Sequence, residues 1–145
     1  MVFKNEKELE RFILKKCRPA LLKAQEKVYQ IIKQFLYKFY SEYDPVVYER
    51  TYQFLQSLVQ SRIVSDGKGY KAEIYFNLDY AYSTGANPSG EQVMGAADMG
   101  RHGAMGLMVA DFKGTSVWHE PLEVLDAKAI GILVDMLRAE GIPIK

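Results

Sequence analysis

The sequence predicts a single domain of the α+β class, and three observations lead to that prediction. Apolar residues recur at helical spacing near both ends of the chain, and they alternate with polar residues over 70–80. The order of these patterns lacks the strand–helix repeat that builds a parallel sheet. With 145 residues, 48% of them hydrophobic, the chain suits one globular domain with a buried core.

The first predicted element is a long amphipathic helix that ends near Tyr40. Apolar residues follow helical spacing from Leu9 onward, so one side of the helix should be buried. Pro19 cannot donate a backbone hydrogen bond, and it disfavours a helical conformation at Arg18. We therefore expect a short helix, a kink or restart at the proline, and then a long helix.

A short helix and a β-hairpin are predicted next. Asp44 can cap a helix whose first position is Pro45. The alternation over 70–80 predicts a strand with one buried face. Residues 66–69 read Asp-Gly-Lys-Gly and tolerate positive φ, so they should join this strand to a preceding one within 59–65.

A long segment rich in glycine and methionine, 83–117, follows the predicted strand. Its seven glycines, four methionines and unusual length predict a flexible loop that acts as an assembly arm. Methionine side chains adapt to irregular apolar surfaces, so they suit such a role. Trp118 would either lock the segment to the body or anchor a neighbouring subunit. The predicted partner-interface residues are Met94, Met99, Arg101, Met105, Met108 and Trp118.

The last predicted element is a helix from Pro121 to Glu140. Apolar residues return at helical spacing here, and Gly141 and Pro143 should end the helix. The predicted order is therefore helix, helix, hairpin, long loop and helix.

Lysine and arginine are concentrated in the first part of the chain. Residues 1–40 hold ten of them against four glutamates, whereas the remainder holds nine against fourteen acidic residues. Clustered cations can attract nucleic-acid phosphates, but on a long helix they more often form its solvated face. We favour the solvated face, and a small nucleic-acid-binding regulator stays open as an alternative function.

Residues able to support catalysis or metal binding form no recognisable motif. His102 and His119 are the only histidines, and a metal site would need both of them to converge with distant carboxylates. Cys17, the only cysteine, falls on the apolar face of the first helix. We therefore predict no enzymatic activity, no cofactor and no metal. An enzymatic alternative would use His102, His119, Asp98 or Glu120.

Nothing in the sequence indicates export or a membrane span. The opening MVFKNEKELE lacks the apolar region of a secretory signal, and no apolar run approaches the roughly 20 residues that cross a bilayer. A single cysteine also rules out a disulfide within the chain. We expect a protein that is made and kept inside a cell.

Residues 43–57, which read YDPVVYERTYQFLQS, join the long first helix to the predicted hairpin. The features that matter here are Thr51, Leu55 and Ser57, followed further on by Tyr80-Ala81-Tyr82 and Gly85. In this order they resemble the small neck proteins of tailed bacteriophages, which are head–tail connector and tail-completion subunits. The resemblance covers most of the chain in its order of elements.

The resemblance implies a structural virion subunit without enzymatic activity. Such a subunit would be made in the host bacterial cytoplasm and would form a homo-oligomeric ring in the virion neck, with DNA passing through its centre. Its partners would be other copies of itself and neighbouring neck, portal-adjacent or tail-tube proteins, and no membrane. A tail terminator or a minor capsid component is the alternative position within the virion.

Overall fold

The computed structural model describes residues 2–42, 53–79, 89–100 and 114–145. Its fold class is α+β, as predicted, with a long N-terminal helix, small antiparallel strand pairing and a C-terminal helix. The elements in chain order are α1 (Glu6–Ser41), α2 (Gln53–Gln56), β1 (Leu58–Gln60), β2 (Val64–Ser65), β3 (Tyr70–Lys71), β4 (Ile74–Phe76), α3 (Gly90–Asp98) and α4 (His119–Ala139).

Helix α1 is continuous over Glu6–Ser41, so the prediction of two helices separated at Pro19 is wrong. A proline inside a helix removes one backbone hydrogen bond, and tertiary packing can outweigh that loss. Ala20, directly after the proline, is fully buried, and Ala24 one turn later is also buried. Packing along this face therefore holds the helix together through the proline.

The chain divides into two compact units. The first comprises Met1–Tyr29, Gln60–Ile74 and Ala127–Lys145, and the second comprises Gln30–Val59 and Tyr75–Asp126. Both α1 and α4 contribute residues to each unit. The prediction of a single domain over 1–145 stays a prediction.

The predicted hairpin lies in the first unit. Strands β2 and β3 pair antiparallel, with Ser65 opposite Tyr70. In the turn between them Gly67 has a φ of 85°, which favours glycine. Asp66 Oδ1 accepts hydrogen bonds from the Lys68 N–H at 2.9 Å and the Gly69 N–H at 2.8 Å. Local turn chemistry thus forms the hairpin where the sequence predicted it.

Polar side chains join α1 to other elements within the first unit. The buried side chain of Gln25 donates from Nε2 to the backbone oxygens of Ser61 at 3.1 Å and Glu73 at 3.0 Å. The Lys23 ammonium forms an ion pair with Glu140, just beyond α4. The hydrogen bond from Lys23 lowers the pKa of Glu140.

A row of aromatic rings forms part of the core of the second unit. Phe39 contacts Phe54 edge-on at 6.5 Å between ring centroids, and Phe54 stacks on Phe76 at 5.1 Å. Phe76 in turn meets Trp118 edge-on at 5.7 Å. The row links α1, α2, β4 and the residue before α4. The single strand predicted over 70–80 is wrong, because the structure has two short strands there, β3 and β4, which pair with different partners. Leu78, predicted on the buried face, is 38% exposed, whereas Phe76 packs in the aromatic row.

Helix α3 lies within 83–117, where the sequence analysis predicted a loop. Its start is a capping box, in which Ser89 Oγ accepts from the Gln92 N–H at 3.2 Å. In return, Gln92 Oε1 accepts from the Ser89 N–H at 3.0 Å. Two N–H groups that the helix leaves without partners are thereby satisfied. The loop prediction is wrong for residues 90–98.

The other helix predictions have two outcomes. Helix α4 confirms the predicted C-terminal helix, although it begins two residues before Pro121, and Gly141 ends it with a φ of 89°. The predicted cap Asp44 and first-turn residue Pro45 lie outside the described residues.

Candidate partner interface

The end of α3 meets the start of α4 in what we call the α3–α4 corner, formed by Asp98, Ser116, Trp118, His119 and Glu120. Asp98 Oδ1 accepts hydrogen bonds from Ser116 Oγ at 2.6 Å and from the His119 N–H at 3.0 Å. The N–H groups at a helix start lack carbonyl partners within the helix. The carboxylate of α3 therefore caps α4 from outside.

Ser116 and Glu120 complete the cap from the side of α4. Ser116 Oγ accepts from the His119 N–H at 3.0 Å, and Glu120 Oε1 accepts from the Ser116 N–H at 3.0 Å. Ser116 thus accepts from the first residue of α4 and donates to a glutamate in the first turn of the same helix. Glutamate in the first turn is also favourable beside the positive end of the helix dipole.

His119 extends from the α3–α4 corner toward solvent. Its Nδ1 lies 2.5 Å from Asp98 Oδ2, and its side chain is 76% exposed, whereas that of Asp98 is 18% exposed. The structure thus brings together three residues of the enzymatic alternative, since Glu120 lies beside them, while His102 lies outside the described residues.

The hydrogen bonds of the corner are those of a helix cap. A nucleophilic serine gives its proton to an imidazole, whereas the Ser116 hydroxyl donates to the Asp98 carboxylate. His119 bonds the other oxygen of the same carboxylate. Within the described ranges, these bonds join the end of α3 to the start of α4.

Two opposing influences act on the pKa of Asp98. Partial burial raises it, because a less polar environment disfavours the charged form. Hydrogen bonds from Ser116, the His119 backbone and the His119 ring act in the opposite direction and together hold the pKa below its usual value. The folded protein therefore favours the ionised form of Asp98.

We expect Asp98→Asn to lower the free energy of unfolding by about 1–2 kcal/mol at neutral pH, because an amide is a weaker acceptor for these donors. Since the folded pKa is depressed, the contribution of the carboxylate is complete above its unfolded pKa of about 3.9. It is lost as pH falls through the folded value. Urea unfolding of both proteins at a series of pH values measures the difference, which should shrink on acidification.

The control for this experiment is Glu10→Gln. Glu10 is an exposed carboxylate on α1, and no hydrogen bond to its side chain occurs within the described ranges. Its substitution should leave stability nearly unchanged at every pH. A difference for Asp98→Asn that persists unchanged into acid would contradict an ionic cap.

Both ends of the undescribed segment 101–113 are held in the second unit. The Gly114 N–H donates to the Gly100 oxygen at 2.8 Å, and Gly100 has a φ of 67°. The next residue, Thr115, is buried, and its N–H donates to Glu42 Oε2 at 2.7 Å. The residues on either side of 101–113, Gly100 and Gly114, are therefore adjacent to each other at the end of α3.

The described residues include three of the six predicted interface residues. Met99 follows α3 and is 53% exposed, and Met94 is a half-buried residue within α3. Trp118 is half-buried and contacts Phe76, so it attaches its segment to the body of the second unit. Arg101, Met105 and Met108 lie outside the described residues.

The described ranges contain neither a membrane-spanning helix nor a metal-binding cluster. In the described ranges, no helix has the length and apolar character that a membrane span requires. Within the same ranges, no three His, Cys, Asp or Glu side chains are grouped as a metal site would need.

One known protein family matches nearly the whole chain. The YomN family matches residues 5–139. The chain belongs to the YomN family. YomN is phage-derived, so the match points to the bacteriophage origin that the sequence predicted. No curated protein and no solved structure gives a significant match.

The YomN match includes the whole range of described elements. Residues 5–139 begin just before α1 and end at the last residue of α4. The α3–α4 corner and the three described interface residues all lie inside it. The family relationship therefore concerns the complete helix and strand arrangement rather than one helix.

Proposed function

We propose that the chain is a structural virion subunit of the tailed-phage neck, where it forms a homo-oligomeric ring that joins head and tail. The observation that carries the proposal is the match of a phage-derived family over residues 5–139. The resemblance of residues 43–57 to head–tail connector subunits adds the position in the virion. The subunit is made in the host bacterial cytoplasm, and DNA passes through the ring.

The α3–α4 corner supports a role in assembly. Its hydrogen bonds join the residues that precede 101–113 to those that follow it. Exposed Met99 lies next to these bonds and offers a flexible apolar side chain to a partner. The parts of 83–117 that belong to the proposed assembly arm are 83–88 and 101–113. Partners of this surface are neighbouring copies and adjoining neck, portal-adjacent or tail-tube proteins.

Use of the corner side chains as a cap also supports a protein without enzymatic activity. Asp98 and Ser116 both direct their hydrogen-bonding atoms to the start of α4. Within the virion, a tail terminator or minor capsid component is the alternative position, because such subunits also form heterologous interfaces.

A nucleic-acid-binding regulator is the second candidate function. Four basic residues of α1 are exposed at spacings of four, four and three residues, which places them on one face. Such a face can bind phosphates, and the resulting affinity would fall steeply with added salt. These residues are Lys7, Arg11, Lys15 and Arg18.

Mixing the purified protein with tail tubes and portal-containing capsids tests the neck proposal. We expect rings seated at the head–tail junction in negative-stain electron micrographs. Met99→Glu should fold as the wild type does, because Met99 is exposed, yet its occupancy of the junction should fall about tenfold.

The matched control is Glu91→Gln, an exposed change on α3 that leaves Met99 intact. It should seat normally at the junction. Protein that stays monomeric and binds neither capsids nor tails would contradict the neck proposal. Tight, salt-sensitive DNA binding would then favour the regulator.

A further inference from the structure

The middle of α4 is exposed on every side. Six successive residues, 126–131, are all exposed, and they cover more than one full turn of helix. Ile130 lies among them with 80% of its surface exposed. Contact with a partner would remove this large apolar side chain from water, which lowers the free energy of the complex.

Two carboxylates share the face of Ile130. Glu123 and Asp126 precede it by seven and four residues, which places all three on one side of the helix. Both carboxylates are exposed, and neither forms an ion pair within the described part of the chain. We call Glu123, Asp126 and Ile130 the α4 stripe.

A face of α1 has the complementary chemistry. The four exposed basic residues that follow one side of this helix lead to Leu22, which is 52% exposed. None of the four basic residues forms an ion pair with a residue that the structure describes. We call Lys7, Arg11, Lys15, Arg18 and Leu22 the α1 stripe.

We propose that the α4 stripe of one copy binds the α1 stripe of a second copy of this chain. The proposal rests on the ring of the proposed function, because it names surfaces through which copies would associate. Opposite charges attract the two stripes, and Ile130 and Leu22 supply apolar contact at one end. A second copy is favoured because both complementary faces occur on the same chain.

The two stripes also agree in spacing. In each, two charged residues three positions apart precede an apolar residue by a further four positions. One alignment of the helices therefore places Arg18 beside Asp126 and Leu22 beside Ile130. The same alignment places Lys15 beside Glu123. A single register therefore pairs both carboxylates of the α4 stripe with basic residues and brings the two apolar side chains together.

Sedimentation velocity of the full chain over a range of concentrations tests this contact. We expect the wild type to associate at low salt and to associate less at high salt. Asp126→Lys and Arg18→Glu should each weaken association by about tenfold or more. A mixture of these two variants should recover association, because Lys at 126 then meets Glu at 18.

Asp135→Lys is the matched control for Asp126→Lys. Position 135 lies nine residues further along α4, on the opposite side of the helix, and its carboxylate is exposed. This variant should associate as the wild type does. Equal weakening by both α4 variants would overturn the proposal.

The remaining outcomes separate this inference from the neck proposal. Wild-type protein that is monomeric at every concentration overturns the contact, whereas rings at the junction in the mixing experiment would still support the neck role. Association that neither variant alters overturns the contact and leaves a ring built through other surfaces. Duplex DNA binding lost in Arg18→Glu, with association unaffected, would assign the α1 stripe to nucleic acid.

Discussion

Gly90→Ala is expected to destabilise the protein by about 3 kcal/mol or more. A Cβ atom at Gly90 would lie 1.9 Å from the backbone oxygen of Leu78 and 2.6 Å from its carbonyl carbon. Both are backbone atoms, so no side-chain rotation can relieve the overlap, and α3 would have to move. Urea unfolding followed by the fluorescence of Trp118, the only tryptophan, measures the loss.

Gly95→Ala provides the matched control within the same helix. A Cβ atom at Gly95 would meet nothing within 4 Å. Alanine has a higher helix propensity than glycine, so this variant should be stabilised by up to about 1 kcal/mol. Similar midpoints for Gly90→Ala and Gly95→Ala would show that the close approach to Leu78 does not constrain the fold.

Gly90 also explains why the sequence analysis missed α3. Abundant glycine predicts flexibility, whereas at this position glycine permits close packing against a backbone. The signal that could have revealed the helix was the capping box, because Ser89 is followed by Gln92 three residues later. Composition averaged over 83–117 concealed that local pattern.

The parts of the fold that local chemistry determines could be predicted. Gly67 and Gly141 adopt the positive φ values that the turn and the end of α4 require. Pro19 is the contrasting case, because its effect depends on tertiary packing beside Ala20. Local rules predicted a break there, and burial of the helix face decided otherwise.

The candidate site could be predicted only in part. Exposure of Met99 agrees with a residue available to a partner, and Trp118 meets the body of the second unit. The bonds from Asp98 to Ser116 and His119 join residues 18 and 21 positions apart. No periodicity connects such distant positions, so the sequence could name Asp98 and His119 as candidates without showing that they form a cap.

Phe54→Ala is expected to lower the free energy of unfolding by about 3–5 kcal/mol. Phe54 is buried, stacks on Phe76 at an interplanar angle of 10° and meets Phe39 edge-on. Truncation therefore removes a large apolar surface and leaves a cavity between two rings. Phe76 would lose this support, and it also meets Trp118 edge-on, so native-state tryptophan emission should shift to longer wavelength.

Two further variants decide whether the aromatic row is the cause. Phe54→Leu keeps most of the volume and should cost less than Phe54→Ala, on the order of 1.5 kcal/mol. Tyr37→Ala removes a 52% exposed ring from the same unit and should change stability by about 0.5 kcal/mol or less. If Phe54→Ala resembled Tyr37→Ala in both stability and emission, the row would not hold the second unit together. The expected result is a graded loss of stability, with tryptophan emission altered only in Phe54→Ala. That result would show that the aromatic row supports Trp118, which belongs both to this core and to the α3–α4 corner.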